Sequence, residues 1–253
     1  MKIAVCIKQV VTREWQLRVN DQKTWIRDQD ASFELNEPDA YALEEALRLK
    51  EKHGGEVIVC CAGPARATQV IREALARGAD RALHVESDAL GTADAGTIAA
   101  ALAEAIRAEQ VDLVLTGLQS DDQGFGQVGV VLAETLGIPH ATIIMEVQVE
   151  ASGLRVKREL EGGWFQWVRL PLPALVTIQS GINQLRYATL KGIMAAKKKE
   201  IKKVAAPAVA SGGQRVTSLY FPEKAKQTQV LAGPPAEAAK ALVTRLREEA
   251  RAL

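Results

Sequence analysis

A glycine-rich run in the middle of the chain could bind an anion. Asp112 to Thr116 reads as a buried strand and Val130 to Leu136 as an apolar helix, and the run GLQSDDQGFGQVG, residues 117–129, lies between them. Glycines let a backbone approach a ligand, and the free N–H groups at a helix N-terminus favour phosphate. The run matches neither a Walker sequence nor a GxGxxG fingerprint, so a turn without a ligand remains the alternative.

A second segment, Asn183 to Ile201, indicates a surface for a partner protein. It places Leu190 and a lysine cluster where a buried core makes no sense. A lone apolar side chain can fill a pocket on a partner, and flanking cations such as Lys197 to Lys199 would steer acidic surfaces toward it. The alternative for the lysines is a solvated helix face.

Enzyme-like constellations are not found in the sequence. His53, His84 and His140 are scattered, and no Cys-x-x-Cys, nucleophile elbow or His-Glu-x-x-His occurs. We therefore expect neither catalytic residues nor a metal site. A net charge of +1 from 32 basic and 31 acidic residues gives no global attraction to nucleic acid or membrane, and 4% aromatic residues argue against a stacking platform for single strands.

The first half of the chain has an α/β rhythm. Strand-like apolar runs alternate with helix-period stretches; the runs are Lys2–Ile7, Glu56–Cys61, Arg81–Val85 and 112–116. Such runs are typical of parallel strands buried on both faces, so the fold class is α/β, with a parallel-core sheet flanked by helices. Ligands of open sheets of this kind lie at the carboxyl ends of the strands.

After Pro139 the pattern changes to strands separated by short turns, which imply antiparallel neighbours. These strands are 140–150, 154–160, 164–170 and 174–178. Residues 206–213 read as a linker, and a final helix, residues 235–253, carries an apolar stripe. We therefore expect a nucleotide-binding domain over residues 1–205 and a linker with a C-terminal arm over residues 206–253.

The cysteines and the N-terminus indicate the compartment. Cys6, Cys60 and Cys61 lie in strand-like runs and suit buried, reduced thiols. The chain begins with a strand rather than a basic segment and a long apolar one, and no run of about 18 apolar residues occurs. We expect a soluble, cytoplasmic protein without membrane insertion.

The run Arg186 to Leu190, RYATL, with its lysine-rich continuation and the stretch Val156 to Gly163, closely resembles the electron-transfer flavoprotein β subunit. The resemblance implies an adenine-nucleotide-hydrolase-like fold and a heterodimer with an α subunit that holds most of the FAD. It further implies a buried AMP, and electron transport from acyl-CoA and other flavin dehydrogenases to a quinone oxidoreductase, as in fatty acid oxidation.

Carried over by position, the resemblance implies a set of AMP contacts. They are Cys6, Asn36, Glu37, Pro38, Asp39, Ala62, Gly117, Gln119, Ser120, Asp121, Asp122, Gln123, Gly124, Phe125, Gly126, Gln127 and Val128. Our hypothesis is that the last three give backbone N–H groups to the phosphate, because they lie where the helix begins.

The resemblance also implies contacts with proteins. The partner-binding residues are Arg186, Tyr187, Leu190, Lys191, Ile193, Met194, Lys197 and Lys198. Glu159 would lie near the mobile flavin domain of the α subunit, although a solvated strand charge is the alternative. The C-terminal arm would wrap the α subunit.

Two alternatives to this function stay open. In electron-bifurcating relatives a second FAD takes the place of AMP. Outside the family, the chain could be a free-standing nucleotide-binding α/β protein, such as a ligand sensor or a small hydrolase.

Overall fold

The computed structural model describes residues 1–207, 213–222 and 228–252, in two compact units, Met1–Leu219 and Tyr220–Leu253. The first unit extends beyond the expected boundary at residue 205. Its last residues return to it because the Gln214 N–H donates to Asp94 Oδ2 at 3.1 Å and the Leu219 N–H donates to the Lys23 carbonyl at 2.6 Å. Residues 208–212 of the expected linker lie outside the described residues.

Eleven strands are present in the described part of the chain. They are β1 (Lys2–Ile7), β2 (Gln9–Val11), β3 (Phe33–Leu35), β4 (Glu56–Gly63), β5 (Arg81–Glu86), β6 (Leu113–Gly117), β7 (His140–Glu150), β8 (Gly153–Glu159), β9 (Phe165–Leu170), β10 (Ala174–Ile178) and β11 (Ile201–Val204). Nine of them form one sheet in the order β11-β5-β4-β1-β6-β10-β7-β8-β9, and β2 pairs with β3. The sheet is parallel from β11 to β7 and antiparallel from β7 to β9.

The helices of the first unit cover both faces of this sheet. They are α1 (Glu37–His53), α2 (Thr68–Arg77), α3 (Ala95–Arg107), α4 (Val128–Leu136) and α5 (Leu190–Ala196). Alternate residues of β1 enter the two halves of the core: Val5 packs with α1 and α2, and Ala4 with α3 and α4. The expected α/β fold with a helix-flanked parallel core is confirmed.

Strand β10 departs from the expected antiparallel pattern. The short turns do join β7, β8 and β9 as antiparallel neighbours, but β10 returns to the centre and runs parallel to both β6 and β7. All five of its residues are buried, which requires a neighbour on each side and a covered surface on each face. The turn lengths alone could not reveal this return.

The three cysteines are free and buried, as expected. Burial raises the pKa of the Cys61 thiol to about 12, so the thiol is neutral at physiological pH.

The second unit contains one helix in its described part, α6 (Pro235–Glu248). It ends before the expected limit of Leu253, a residue outside the described range. Leu242 and Val243 of its apolar stripe are exposed. None of the helices in the described ranges is long and apolar enough to cross a membrane.

Candidate functional site

A cavity lies at the carboxyl ends of β1, β4 and β6, where an open parallel sheet is expected to bind its ligand. Most of the expected AMP contacts line it. They are Cys6, Asn36, Asp39, Ala62, Gly117, Gln119, Ser120, Asp122, Gln123, Phe125, Gly126, Gln127 and Val128. The four that do not are Glu37, Pro38, Asp121 and Gly124.

The N-terminus of α4 opens into this cavity. The Val131 N–H donates to the Gln127 carbonyl as the first bond of the helix, and the side chain of Gln127, the residue before the helix, makes no capping hydrogen bond. A Cβ at Gly129 would lie 2.6 Å from Thr177 Cγ2 and 2.7 Å from Thr116 Oγ1, so only glycine lets the helix start this close to β6 and β10. The arrangement provides free backbone donors and the positive end of a helix dipole.

Asn36 and Asp39 form the frame of the cavity. Asn36 Nδ2 donates to the Gln119 carbonyl at 3.0 Å, and Asn36 Oδ1 accepts from the Asp121 N–H at 2.9 Å. The Asp39 carboxylate accepts from the backbone N–H of Lys8 at 2.8 Å and of Gly117 at 2.9 Å. The start of α1 is thereby fixed to the ends of β1 and β6 and to the glycine-rich run.

Asp39 is only 6% exposed. Burial raises the pKa of its carboxyl to about 7, and the N–H groups that it accepts from act in the opposite direction. This group is therefore near its titration point at neutral pH.

Glu37, Pro38 and Asp121, three of the expected contacts that do not line the cavity, lie next to residues that do. Arg13 pairs with Glu37 and, at 3.4 Å, with Asp121. A Cβ at Gly117 would lie 2.7 Å from Pro38 Cβ, so Pro38 packs directly behind the strand end.

Several cavity residues were not expected from the sequence. The lining also contains Lys8, Trp25, Ile26, Phe33, Arg66, Leu90, Ile98 and Leu102. Lys8 could have been found, because it directly follows β1. Phe33 and Arg66 could not, because their pairing joins β3 to the turn before α2; the Arg66 guanidinium lies 4.5 Å from the Phe33 ring centroid.

The expected partner segment contains a short helix, α5, whose first residue is Leu190. Thr189 caps it by accepting from the Gly192 N–H at 3.0 Å. Tyr187 is 92% and Leu190 84% exposed, and Ile193 and Met194 are exposed on the same helix. Leu190, Ile193 and Met194 follow the i, i+3, i+4 spacing of one helix face.

Helix α5 is held against α2 by reciprocal capping. Arg72 Nη1 donates to the carbonyls of Ala196 at 2.5 Å and Lys199 at 2.8 Å, at the end of α5. Lys199 Nζ in turn donates to the carbonyls of Leu75 and Ala79, at 3.0 and 2.5 Å, at the end of α2. These hydrogen bonds fix the position of α5, and with it the position of its exposed apolar face.

One expected steering cation, Lys199, and one expected partner-binding residue, Arg186, already bind acceptors within this chain. Lys199 caps α2, and Arg186 pairs with Glu44 and Glu51 of α1. Lys191, Lys197 and Lys198 are exposed. The exposed basic group is therefore smaller than the sequence suggested.

Glu159 lies at the end of β8 and is half-buried. Its Oε2 accepts from Gln179 Nε2 at 3.3 Å.

In the described ranges, no group of three or more His, Cys, Asp or Glu side chains is placed to hold a metal ion.

The fold and cavity define a class of α/β protein in which a glycine-rich run leads into a helix at the carboxyl edge of a parallel sheet. The family model of the electron transfer flavoprotein domain matches residues 24–209. The chain is 36% identical to the electron transfer flavoprotein subunit beta of Methylophilus methylotrophus, over 95% of this chain and 96% of that one. It is 35% identical to that of Bacillus subtilis and 37% identical to that of Homo sapiens, over 100% and 99% of this chain and 100% and 98% of theirs. The chain belongs to the electron transfer flavoprotein family, as the RYATL resemblance indicated.

Proposed function

We propose that this chain is the β subunit of a heterodimeric electron-transfer flavoprotein and that it holds AMP in the cavity at the ends of β1, β4 and β6. The observation that carries the proposal is the uncapped N-terminus of α4, which opens into the cavity after Gly126 and Gln127. A phosphate is favoured there by free N–H groups and by the helix dipole. Leu90, Ile98 and Leu102 offer an adenine ring an apolar surface.

The partner within the complex is an α subunit that holds most of the FAD. When bound, FAD supplies the electron-accepting and electron-donating chemistry. This chain helps to enclose the cofactor and has no catalytic residues of its own. Glu159 lies beside the α subunit's flavin domain, and the C-terminal arm with α6 packs on the α subunit. The exposed Leu242 and Val243 support this role because they give α6 an apolar face to bury.

The exposed face of α5 docks acyl-CoA and other flavin dehydrogenases, from which electrons pass to a quinone oxidoreductase. Leu190 is the anchor, with Tyr187, Ile193 and Met194 around it. Lys191, Lys197 and Lys198 steer acidic partners. Arg186 takes part by holding the segment in place. Free cysteines suit a cytoplasmic location for this step of fatty acid oxidation.

One observation favours a longer ligand as the second candidate. The cavity wall continues past the expected AMP contacts to Trp25, Phe33 and Arg66. A second FAD in this cavity would make the complex an electron-bifurcating one.

The test is the nucleotide content of the purified complex. The chain is co-expressed with the α subunit encoded in the same genome, and the bound nucleotides are extracted and quantified. The proposal predicts one FAD and one AMP per heterodimer. Two FAD would favour bifurcation, and a stable nucleotide-bound chain that binds no α subunit would mean a free-standing nucleotide-binding protein.

A cavity-filling variant and a matched control test whether AMP binds in this cavity. Ala62→Leu places three more carbons into the lining and should lower AMP content while FAD stays at one per heterodimer. Ala100→Leu, on the exposed side of α3, is the matched control and should change neither.

A further inference from the structure

Lys8 is the residue directly after β1, and its side chain contacts the glycine-rich run. Its Nζ donates to Ser120 Oγ at 3.3 Å, Asp122 Oδ1 at 2.7 Å and Gln123 Oε1 at 3.0 Å. Its backbone N–H donates to Asp39, the buried carboxyl of the cavity frame. One residue thus joins the end of β1, the start of α1 and the run.

Two glycines lie in the part of the run next to α4. Gly124 and Gly126 both have positive φ, of 66° and 62°, so this backbone is intrinsically adaptable. Asn36 holds the backbone of the run at two points, the Gln119 carbonyl and the Asp121 N–H. Lys8 binds three side chains of the turn at residues 120–123. The Gly124 N–H closes this turn by donating to the Ser120 carbonyl at 2.8 Å.

We propose that Lys8 is a positioning residue for the nucleotide: it fixes the turn 120–123, and through it the N–H groups of residues 126–128, without binding the phosphate itself. A lysine ammonium has three N–H donors, and Lys8 Nζ lies within hydrogen-bond distance of three acceptors in the run. Its charge is compensated by Asp122. The inference rests on the proposed AMP site and adds a residue that acts through the loop.

The experiment measures AMP and adenosine dissociation constants on the complete heterodimer. The variants are Lys8→Met, Asp122→Asn and the double variant. The matched control is Lys52→Met, which changes an exposed lysine at the far end of α1.

A positioning role predicts that either single substitution weakens AMP by about tenfold to a hundredfold, the usual effect of losing a charge-assisted contact. The double variant should be no weaker than the weaker single variant, because both changes break the same contact. The affinity for adenosine should fall less than the affinity for AMP, because adenosine has no phosphate to bind the displaced N–H groups. A loss of general stability alone would leave the ratio of AMP to adenosine affinity unchanged, which would overturn the proposal.

A direct phosphate contact would give another pattern. Asp122→Asn would then leave AMP binding unchanged or tighten it, because the lysine would be released toward the phosphate, and that result would overturn the positioning role. If the Lys8→Met heterodimer does not assemble, Asp122→Asn alone decides between the positioning role and a direct phosphate contact. A wild-type heterodimer without AMP would instead refute the proposed function, and the inference with it.

Discussion

Arg186 and Glu44 form a two-point ion pair, with Arg186 Nε 2.7 Å from Glu44 Oε2 and Nη2 3.0 Å from Glu44 Oε1. The Glu44 side chain is only 5% exposed, and Arg186 also reaches Glu51, at 2.5 Å from Nη1 to Oε1. The two glutamates hold the pKa of the Arg186 guanidinium above its ordinary value. The same residue that starts the RYATL run therefore ties residues 183–201 to α1.

Arg186→Met should lower the free energy of unfolding by about 1–3 kcal/mol, because the buried Glu44 keeps only the Arg48 side chain and the backbone N–H of residue 186 from its partners in the described residues. Urea denaturation of the heterodimer measures this. Electron transfer from a dehydrogenase should fall by a similar factor at low and high salt, since the segment loses its position rather than a steering charge. Arg18→Met, at an exposed arginine, is the control. A loss confined to low salt would contradict the positioning role.

Substitution of the exposed lysines should reduce association in a salt-dependent way, unlike substitution of Arg186. Replacing Lys197 and Lys198 together by glutamine should slow association with a dehydrogenase at low ionic strength and flatten its salt dependence, because the charges act over a Debye length of about 10 Å at 0.1 M salt. Stopped-flow association rates across a salt series provide the measurement. Equal loss at every salt concentration would refute steering.

Leu190→Ala should weaken dehydrogenase docking by tenfold or more, because a central apolar anchor carries about 2 kcal/mol or more of binding free energy. The readout is the dependence of electron-transfer rate on dehydrogenase concentration. FAD and AMP content should stay at the wild-type values. Leu17→Ala removes an exposed leucine elsewhere in the first unit and should have no effect; an equal effect of both variants would disprove the anchor.

Gly192→Ala should displace α5 from α2. A Cβ at Gly192 would overlap the Ala76 carbonyl oxygen, which is backbone and cannot move aside easily. We expect weaker docking with normal nucleotide content. Gly96→Ala, on α3, is the matched helical control, since its nearest neighbour, Asp94 Oδ1, is 3.8 Å away. Normal docking by Gly192→Ala would show that the position of α5 does not matter.

The sequence was sufficient for the parallel core, because continuous apolar strands and glycine-terminated helices depend on local pattern. The position of the glycine-rich run before α4 could also be predicted from the sequence, because it too depends on local pattern. It could not predict the return of β10, which depends on which strands lie side by side, or the pairing of Arg186 with α1, 142 residues away in the chain. Charged residues such as Arg186 and Lys199 read as surface, and only the packed structure shows that they bind internal acceptors.

The Asp39 carboxyl should give the fold a specific pH dependence. Burial raises its pKa from 3.8 to about 7, so between these pH values the folded chain holds a proton that the unfolded chain has lost. Its contribution to stability is complete below about pH 4 and is lost as pH rises through about 7, at no more than about 1.4 kcal/mol per pH unit.

Asp39→Asn removes this titration and serves as the reference for it. The difference in free energy of unfolding between wild type and Asp39→Asn, from urea curves at pH 4 to 8, should favour wild type most at low pH and shrink as pH rises. A difference that stays constant or grows with pH would show that Asp39 titrates near its ordinary value.

The most direct test of the central claim is a difference electron-density map of the cavity in crystals of the purified heterodimer. We predict an adenine nucleotide with its phosphate at the backbone N–H groups of Gly126, Gln127 and Val128. An empty cavity, or a nucleotide whose phosphate lies away from the start of α4, would contradict the account.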